Sequence, residues 1–217
     1  MDDARTENTE LQVASTEAVA AAAYEDGQTI WNNPALYQTA VKMAKILASS
    51  ELVPEGSYRG KPANCLIALD MANRMNMSPL NIMQNLYVVK GRPSWSGQYC
   101  ISAINGCGRF SPLEFVQLVN EDGSTRGYYA QATMLSSGKV CTGAPVTWDM
   151  VKAEGWYDKS GSKWKTMPDQ MFRYRAAAFF ARTFCPDVLM GLQTVEETRD
   201  VRGYDDEPKK TTVITLD

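Results

Sequence analysis

Apolar positions along the chain recur first at helical spacing. Leu36, Ala40, Met43, Ala44 and Leu47 fall on one face of a helix. Asn32-Asn33-Pro34 supplies a capping side chain and a first-turn proline, so the spacing predicts an amphipathic helix over 34–50. A breaker-rich loop over 53–61 follows and carries Arg59 and Lys61. Pro62 opens a second helix to about residue 75, with Leu66, Ile67, Met71 and Met75 as its stripe, and Ser78-Pro79 caps a third to about residue 85. Upstream, residues 1–10 are polar and acidic, and the alanine-rich stretch 11–24 could form a helix.

The period then shortens to two. Residues 86–90, the turn Gly91-Arg92-Pro93 and residues 94–96 predict strand, turn and strand. Residues 98–107 suit a helix with Ile101 and Ile104 inward. The runs 113–119, 127–135 and 139–142, separated by turns at 120–124 and 136–138, predict an antiparallel meander. Thr147 caps a short helix ending near residue 155, and 158–162 is a loop. The last strong helix is 168–184, with Phe172, Ala176, Phe179 and Phe180 as its apolar stripe. No period repeats, and the mixture is α+β: a meander and a hairpin packed with helices. The expected organisation is an acidic N-terminal arm over 1–30, one core over 31–201 and a short acidic tail over 202–217.

Composition narrows the chemistry. With 217 residues, 44% hydrophobic and 22% charged, the chain resembles an ordinary globular protein, long enough to need no staples. Histidine is absent, which excludes Ser-His-Asp and Cys-His catalysis and any histidine-ligated metal. Five cysteines, never spaced as CxxC, argue for buried reduced thiols rather than zinc or disulfides. The start, Met1-Asp2-Asp3-Ala4-Arg5, is acidic where a signal peptide would be basic, and the longest apolar stretch, 18–24, is far too short for a membrane span. The expectation is a cytoplasmic protein with no membrane partner.

The net charge of −3 conceals a strong division. Residues 1–30 carry −6, 31–110 carry +5, 111–150 carry −2, 151–185 carry +4 and 186–217 carry −4. Two basic blocks between acidic ends suit a polyanion site; an unevenly charged solvated surface fits the same numbers.

Several constellations could carry chemistry. Gly56-Ser57-Tyr58-Arg59-Gly60-Lys61-Pro62 approaches a phosphate loop but has one residue too few between its glycines and a proline after the lysine. It does not support ATP hydrolysis, though Lys61 could still meet a backbone phosphate. Asp149, Glu154, Asp158 and Asp169 could suggest a two-metal nuclease, yet they are spread over separate elements beside lysines. The hairpin interleaves Lys90 and Arg92 with Tyr87 and Trp95, a pattern that suits single-stranded nucleic acid and equally suits aromatics in a core. The second basic block is Lys159, Lys163, Lys165, Arg173, Arg175 and Arg182. Arg175 and Arg182 lie seven residues apart and share a helical face with Met171 and Ala178, while Arg173 points elsewhere. That face either meets phosphates or forms internal ion pairs, for instance to Glu154 or Asp158.

These residues also carry a resemblance. Asn76-Met77-Ser78-Pro79-Leu80, the run from Asn85 to Ser96, Ile101-Ser102-Ala103-Ile104-Asn105, Trp164-Lys165-Thr166-Met167-Pro168, Met171-Phe172-Arg173-Tyr174-Arg175-Ala176 and Ala181-Arg182 resemble the RecT/Redβ family of phage single-strand annealing proteins. The similarity spans roughly 34–201. It implies a non-enzymatic DNA recombination protein that coats single-stranded DNA and anneals it to its complement, giving duplex. It implies a homo-oligomer, ring or helical filament, in the cytoplasm of a bacterial host. No cofactor is implied: ATP is not required, and magnesium enters only as an influence on annealing. Partners implied are a phage 5′-to-3′ exonuclease and a host single-strand-binding protein, although longer relatives carry a further C-terminal module for them. Lys90, Arg92, Arg173, Arg175 and Arg182 take the places of the family's DNA-groove bases, and Asp169 stands where a relative has a base. With Lys61, Trp95, Lys163 and Lys165, these form the expected DNA-binding set. The alternative from another class is a metal-dependent nuclease acting on DNA.

Overall fold

Asn33 begins the first helix as its sequence predicts: the side-chain oxygen accepts from the backbone N–H groups of Ala35 and Leu36, and Pro34 follows. The computed structural model describes residues 28–200. The acidic arm up to residue 27, the alanine-rich 11–24 segment and the 202–217 tail lie outside the described residues. The chain divides between Gln84 and Asn85 into two compact units.

The first unit is helical. Helix α1 (Pro34–Ser49) packs on α2 (Pro62–Arg74), and α3 (Pro79–Asn85) runs to the boundary. Ala40, Ala44 and Ala48 form the buried stripe of α1, four residues apart. Met43 of the expected stripe is instead exposed, because the small residues one turn away are the ones that let the helices close up. In the connecting loop Val53 and Tyr58 are buried, and the Gly60 N–H donates to the Ala48 carbonyl.

The second unit opens with a hairpin, β1 (Leu86–Val89) and β2 (Arg92–Trp95). Val89 pairs with Arg92, so the turn is Lys90-Gly91 rather than the expected Gly91-Arg92-Pro93. Both turn residues have positive φ, 51° and 77°, the geometry that matches the twist of two-residue hairpins and that glycine adopts without strain. Pro93 faces Val88 at a position that does not donate to the ladder, so its missing N–H disturbs nothing. Helix α4 (Gly97–Gly106) follows, capped by the Ser96 hydroxyl, which accepts from the Tyr99 N–H.

The meander is β3 (Glu114–Val119), β4 (Thr125–Thr133) and β5 (Val140–Thr142), all antiparallel. A two-residue strand that the sequence did not suggest, β6 (Val146–Thr147), continues beyond β5 along the same edge of β4. Gly127 permits this pairing, since a Cβ there would lie 2.1 Å from the Val146 carbonyl oxygen. Thr147 then caps α5 (Trp148–Ala153) by accepting from the Met150 N–H. Tyr128, Ala130 and Ala132, alternate residues of β4, bury toward α6 (Pro168–Phe184). A 3-10 turn (Pro186–Leu189) and α7 (Val195–Asp200) close the described chain.

Helix α6 is the centre of this unit. It packs against α4 and against β4, so burial extends well beyond one stripe: Met171, Phe172, Arg175, Ala176, Ala177, Ala178, Phe180 and Ala181 are all buried. Phe172 sits at the middle of an aromatic cluster, with ring centroids 5.0 Å from Trp164, 5.1 Å from Trp148 and 5.5 Å from Tyr128. The architecture is α+β, as expected.

Candidate nucleic-acid interface

The sequence-predicted bases separate into those the fold presents and those it uses internally. Lys90 and Arg92 are exposed at the tip of the β1–β2 hairpin, one in the turn and one at the first residue of β2. Tyr87 is exposed on the same hairpin, beside Leu86, which is buried at its base. Lys163 and Lys165 are exposed on the turn-rich stretch before α6. Between them Trp164 is buried, its ring stacked 5.8 Å from Trp156, and this anchor fixes the loop that carries both lysines. Arg173 is exposed on α6. Lys61 belongs to the first unit; it is exposed, and its ammonium donates to the Gly56 carbonyl across its own loop.

Trp95 is a correction. It is 0% exposed, its indole N–H donates to the Leu189 carbonyl at 3.1 Å, and its ring stacks on Tyr99 at 4.2 Å. Its backbone N–H donates to the Gln193 carbonyl. A ring enclosed in this way cannot receive a base. The residue joins the hairpin to the chain that follows α6.

Arg175 is the second correction. The expectation of one outward face carrying Arg175, Met171, Ala178 and Arg182 fails because α6 is covered on two sides. Arg175 is 4% exposed; its guanidinium lies 4.0 Å from the Trp156 ring centroid and 3.8 Å from the Glu197 carboxylate. Arg182, with 48% of its side chain exposed, reaches the same carboxylate oxygen at 2.8 Å. That approach is a charge contact without an aligned N–H, and it is the tighter of the two. The internal partner is therefore Glu197, from a segment the sequence had marked only as polar and acidic, and not Glu154 or Asp158.

Glu197 does two jobs. Its other oxygen accepts from the Thr194 N–H, while the Thr194 hydroxyl accepts from the Glu197 N–H, a reciprocal cap at the start of α7. The hydroxyls of Ser94 and Thr198, both buried, meet at 2.8 Å and tie β2 to α7. Next to the cap, burial raises the Glu196 carboxyl above its ordinary range, only partly offset by its hydrogen bonds and by the charges of Arg175 and Arg199.

The thiols behave as expected from the sequence: all five are free, and four are buried, with Cys107 only partly covered. Burial pushes the Cys185 thiol up to about 11, and burial reinforced by the Glu197 charge raises Cys100 further. Among the described residues no group of three or more acidic or cysteine side chains comes together that could hold a metal; Asp149 and Glu154 sit at the two ends of α5, Asp158 in the turn after it and Asp169 in α6.

A surface feature missed in the sequence is a groove of about 450 Å³ between the β3–β4 turn and α5, lined by Arg126, Trp148, Asp149, Lys152 and Tyr157 among others. The signal was weak: Arg126 is a single base in an otherwise uncharged strand, and nothing in the sequence shows that β6 brings α5 beside it.

Residues 110–212 match the model of the RecT family. Over that span the chain is RecT-like. The span holds the meander, α5, the Lys163–Lys165 loop, α6 and α7, so the RecT-like part includes the groove, the aromatic cluster and the Arg175–Glu197–Arg182 contact. The hairpin precedes it. No curated protein and no solved structure matches the chain. Among the described residues no helix is long and apolar enough to cross a membrane.

Proposed function

We propose that this RecT-like protein anneals complementary DNA strands without nucleotide hydrolysis, coating the single strand as a homo-oligomer. The RecT match over 110–212 carries the reading, and it ties the chain to DNA recombination and annealing in general. The exposed bases support the finer statement. Lys90 and Arg92 at a hairpin tip, and Lys163, Lys165 and Arg173 on a second stretch, offer charge to phosphates from fixed supports. Annealing asks for little more: neutralisation of two polyanions while the bases stay free to pair.

Lys90, Arg92, Lys163, Lys165 and Arg173 are the proposed phosphate contacts, with Lys61 of the first unit as a further one. Arg182 can contribute through its exposed half while it holds Glu197. Trp95 and Arg175 support the fold instead. The test is incubation of labelled complementary strands with the protein, with and without magnesium and without nucleotide. Full-length duplex formed faster than in protein-free controls supports the reading. Shortened strands that appear only with magnesium would point to a nuclease.

A further inference from the structure

The groove between the β3–β4 turn and α5 has the chemistry of a base-stacking site. Tyr157 is 38% exposed at its wall, and its ring meets Trp148 edge-on at 6.0 Å, so the ring is braced while part of it stays open to solvent. The Lys165 ammonium lies over the same ring, 5.3 Å from its centroid. Arg126 and Lys152 line the groove, two cations against one carboxylate, Asp149. Asn120 and Ser124 add polar groups from the β3–β4 turn. Cations beside a braced, part-exposed aromatic ring fit a nucleotide: the ring takes the base, the cations take the phosphates, and the carboxylate can accept from a base amino group.

The support is rigid. Trp148 packs at 5.1 Å on Phe172 of α6, the Thr147 cap fixes the start of α5, and the β4–β6 pairing holds both beside Arg126. We infer that Tyr157, with Arg126 and Lys152, forms a subsite that stacks one unpaired base of a single-stranded DNA. A base inside a duplex is already stacked on its neighbours and cannot enter, so the subsite favours the strand before pairing over the product. This inference rests on the DNA-annealing reading.

The experiment compares the affinity of a thymidine oligonucleotide with that of an abasic strand of equal length. Wild-type protein should bind both in a salt-dependent way and the thymidine strand more tightly. Tyr157→Ala should weaken thymidine binding about tenfold, the effect of one lost stack, and leave abasic binding unchanged. Tyr157→Phe should keep the preference. Arg126→Gln with Lys152→Gln should weaken both strands and lower the salt slope by about 1.4. Melting curves accompany each variant, and Tyr157→Leu, which retains bulk against Trp148, replaces an alanine variant that fails to fold. A folded Tyr157→Ala or Tyr157→Leu variant with wild-type affinity for the thymidine strand would overturn the subsite and leave the DNA reading standing. Wild-type protein that binds neither strand would overturn both.

Discussion

Arg182 reaches Glu197 at 2.8 Å, and that one carboxylate ties the end of α6 to the first turn of α7. Arg175 approaches it from deeper in the unit, at 3.8 Å, while stacked on Trp156. The two arginines therefore differ sharply in what their loss should do. Arg175→Ala removes a buried partner of a buried charge together with its packing on Trp156, and should cost about 3 kcal/mol or more. Arg182→Ala acts on a half-exposed side chain and should cost about 1 kcal/mol or less. Denaturant melts of the two single variants check the order; equal losses would contradict it.

Trp95→Ala should destabilise by about 3–5 kcal/mol, because it empties a fully enclosed site and removes one of the two hydrogen bonds to the Leu189 carbonyl, which keeps the Leu192 N–H. Trp95→Phe should cost less while losing the same hydrogen bond. Whatever protein remains folded should bind single-stranded DNA with wild-type affinity. A folded Trp95→Ala variant with weakened binding would restore a DNA role for this ring.

The elements themselves were legible in the sequence, because their signals are local. Asn33-Pro34, Ser96 and Thr147 cap helices with their own side chains, and Gly91 marks a hairpin between runs that suit strands. The roles of Trp95 and Arg175 were hidden because their partners lie far along the chain. Leu189 and Thr194 reach Trp95, and Glu197 reaches Arg175, only after the chain turns back behind α6. Helical spacing alone also assigned α6 one buried stripe. It could not show that α4 and β4 would both pack on it. For the same reason the groove at Tyr157 was invisible: it depends on a two-residue strand too short to carry a pattern.

Thiol chemistry gives an independent check on burial. Cys107 is the partly covered thiol, whereas Cys65, Cys100, Cys141 and Cys185 are buried. Burial raises Cys65, Cys100 and Cys185 above the ordinary thiol range, which lowers their thiolate fraction at pH 8. Native protein should release about one equivalent of chromophore from a disulfide reagent, and Cys107→Ser should abolish that fast phase. Rapid modification of several thiols in folded protein would contradict the packing.

Stability should also depend on pH through Glu196. Its carboxyl is raised by burial, so the folded state holds a proton that the unfolded chain has already released. Stability from this group is therefore greatest at and below the ordinary carboxyl range, and declines as pH rises through the raised value. Glu196→Gln removes that decline. The variant should melt higher than wild type at pH 7, and the gap should close near pH 4. A gap that widens on acidification would reverse the assignment.

If exposed basic side chains drive annealing, the loss of Lys90 and Arg92 from the hairpin tip must slow it. Two complementary fluorescently labelled strands are mixed with wild-type protein, and with a Lys90→Gln, Arg92→Gln variant of matched melting temperature, across a salt series without nucleotide. Wild type should form full-length duplex faster than protein-free controls do. The variant should pair the strands more slowly, and its binding should show a salt slope lower by about 1.4 for two lost phosphate contacts. Pairing no faster than in protein-free controls, or an identical salt slope for the two proteins, would contradict annealing driven by exposed basic side chains.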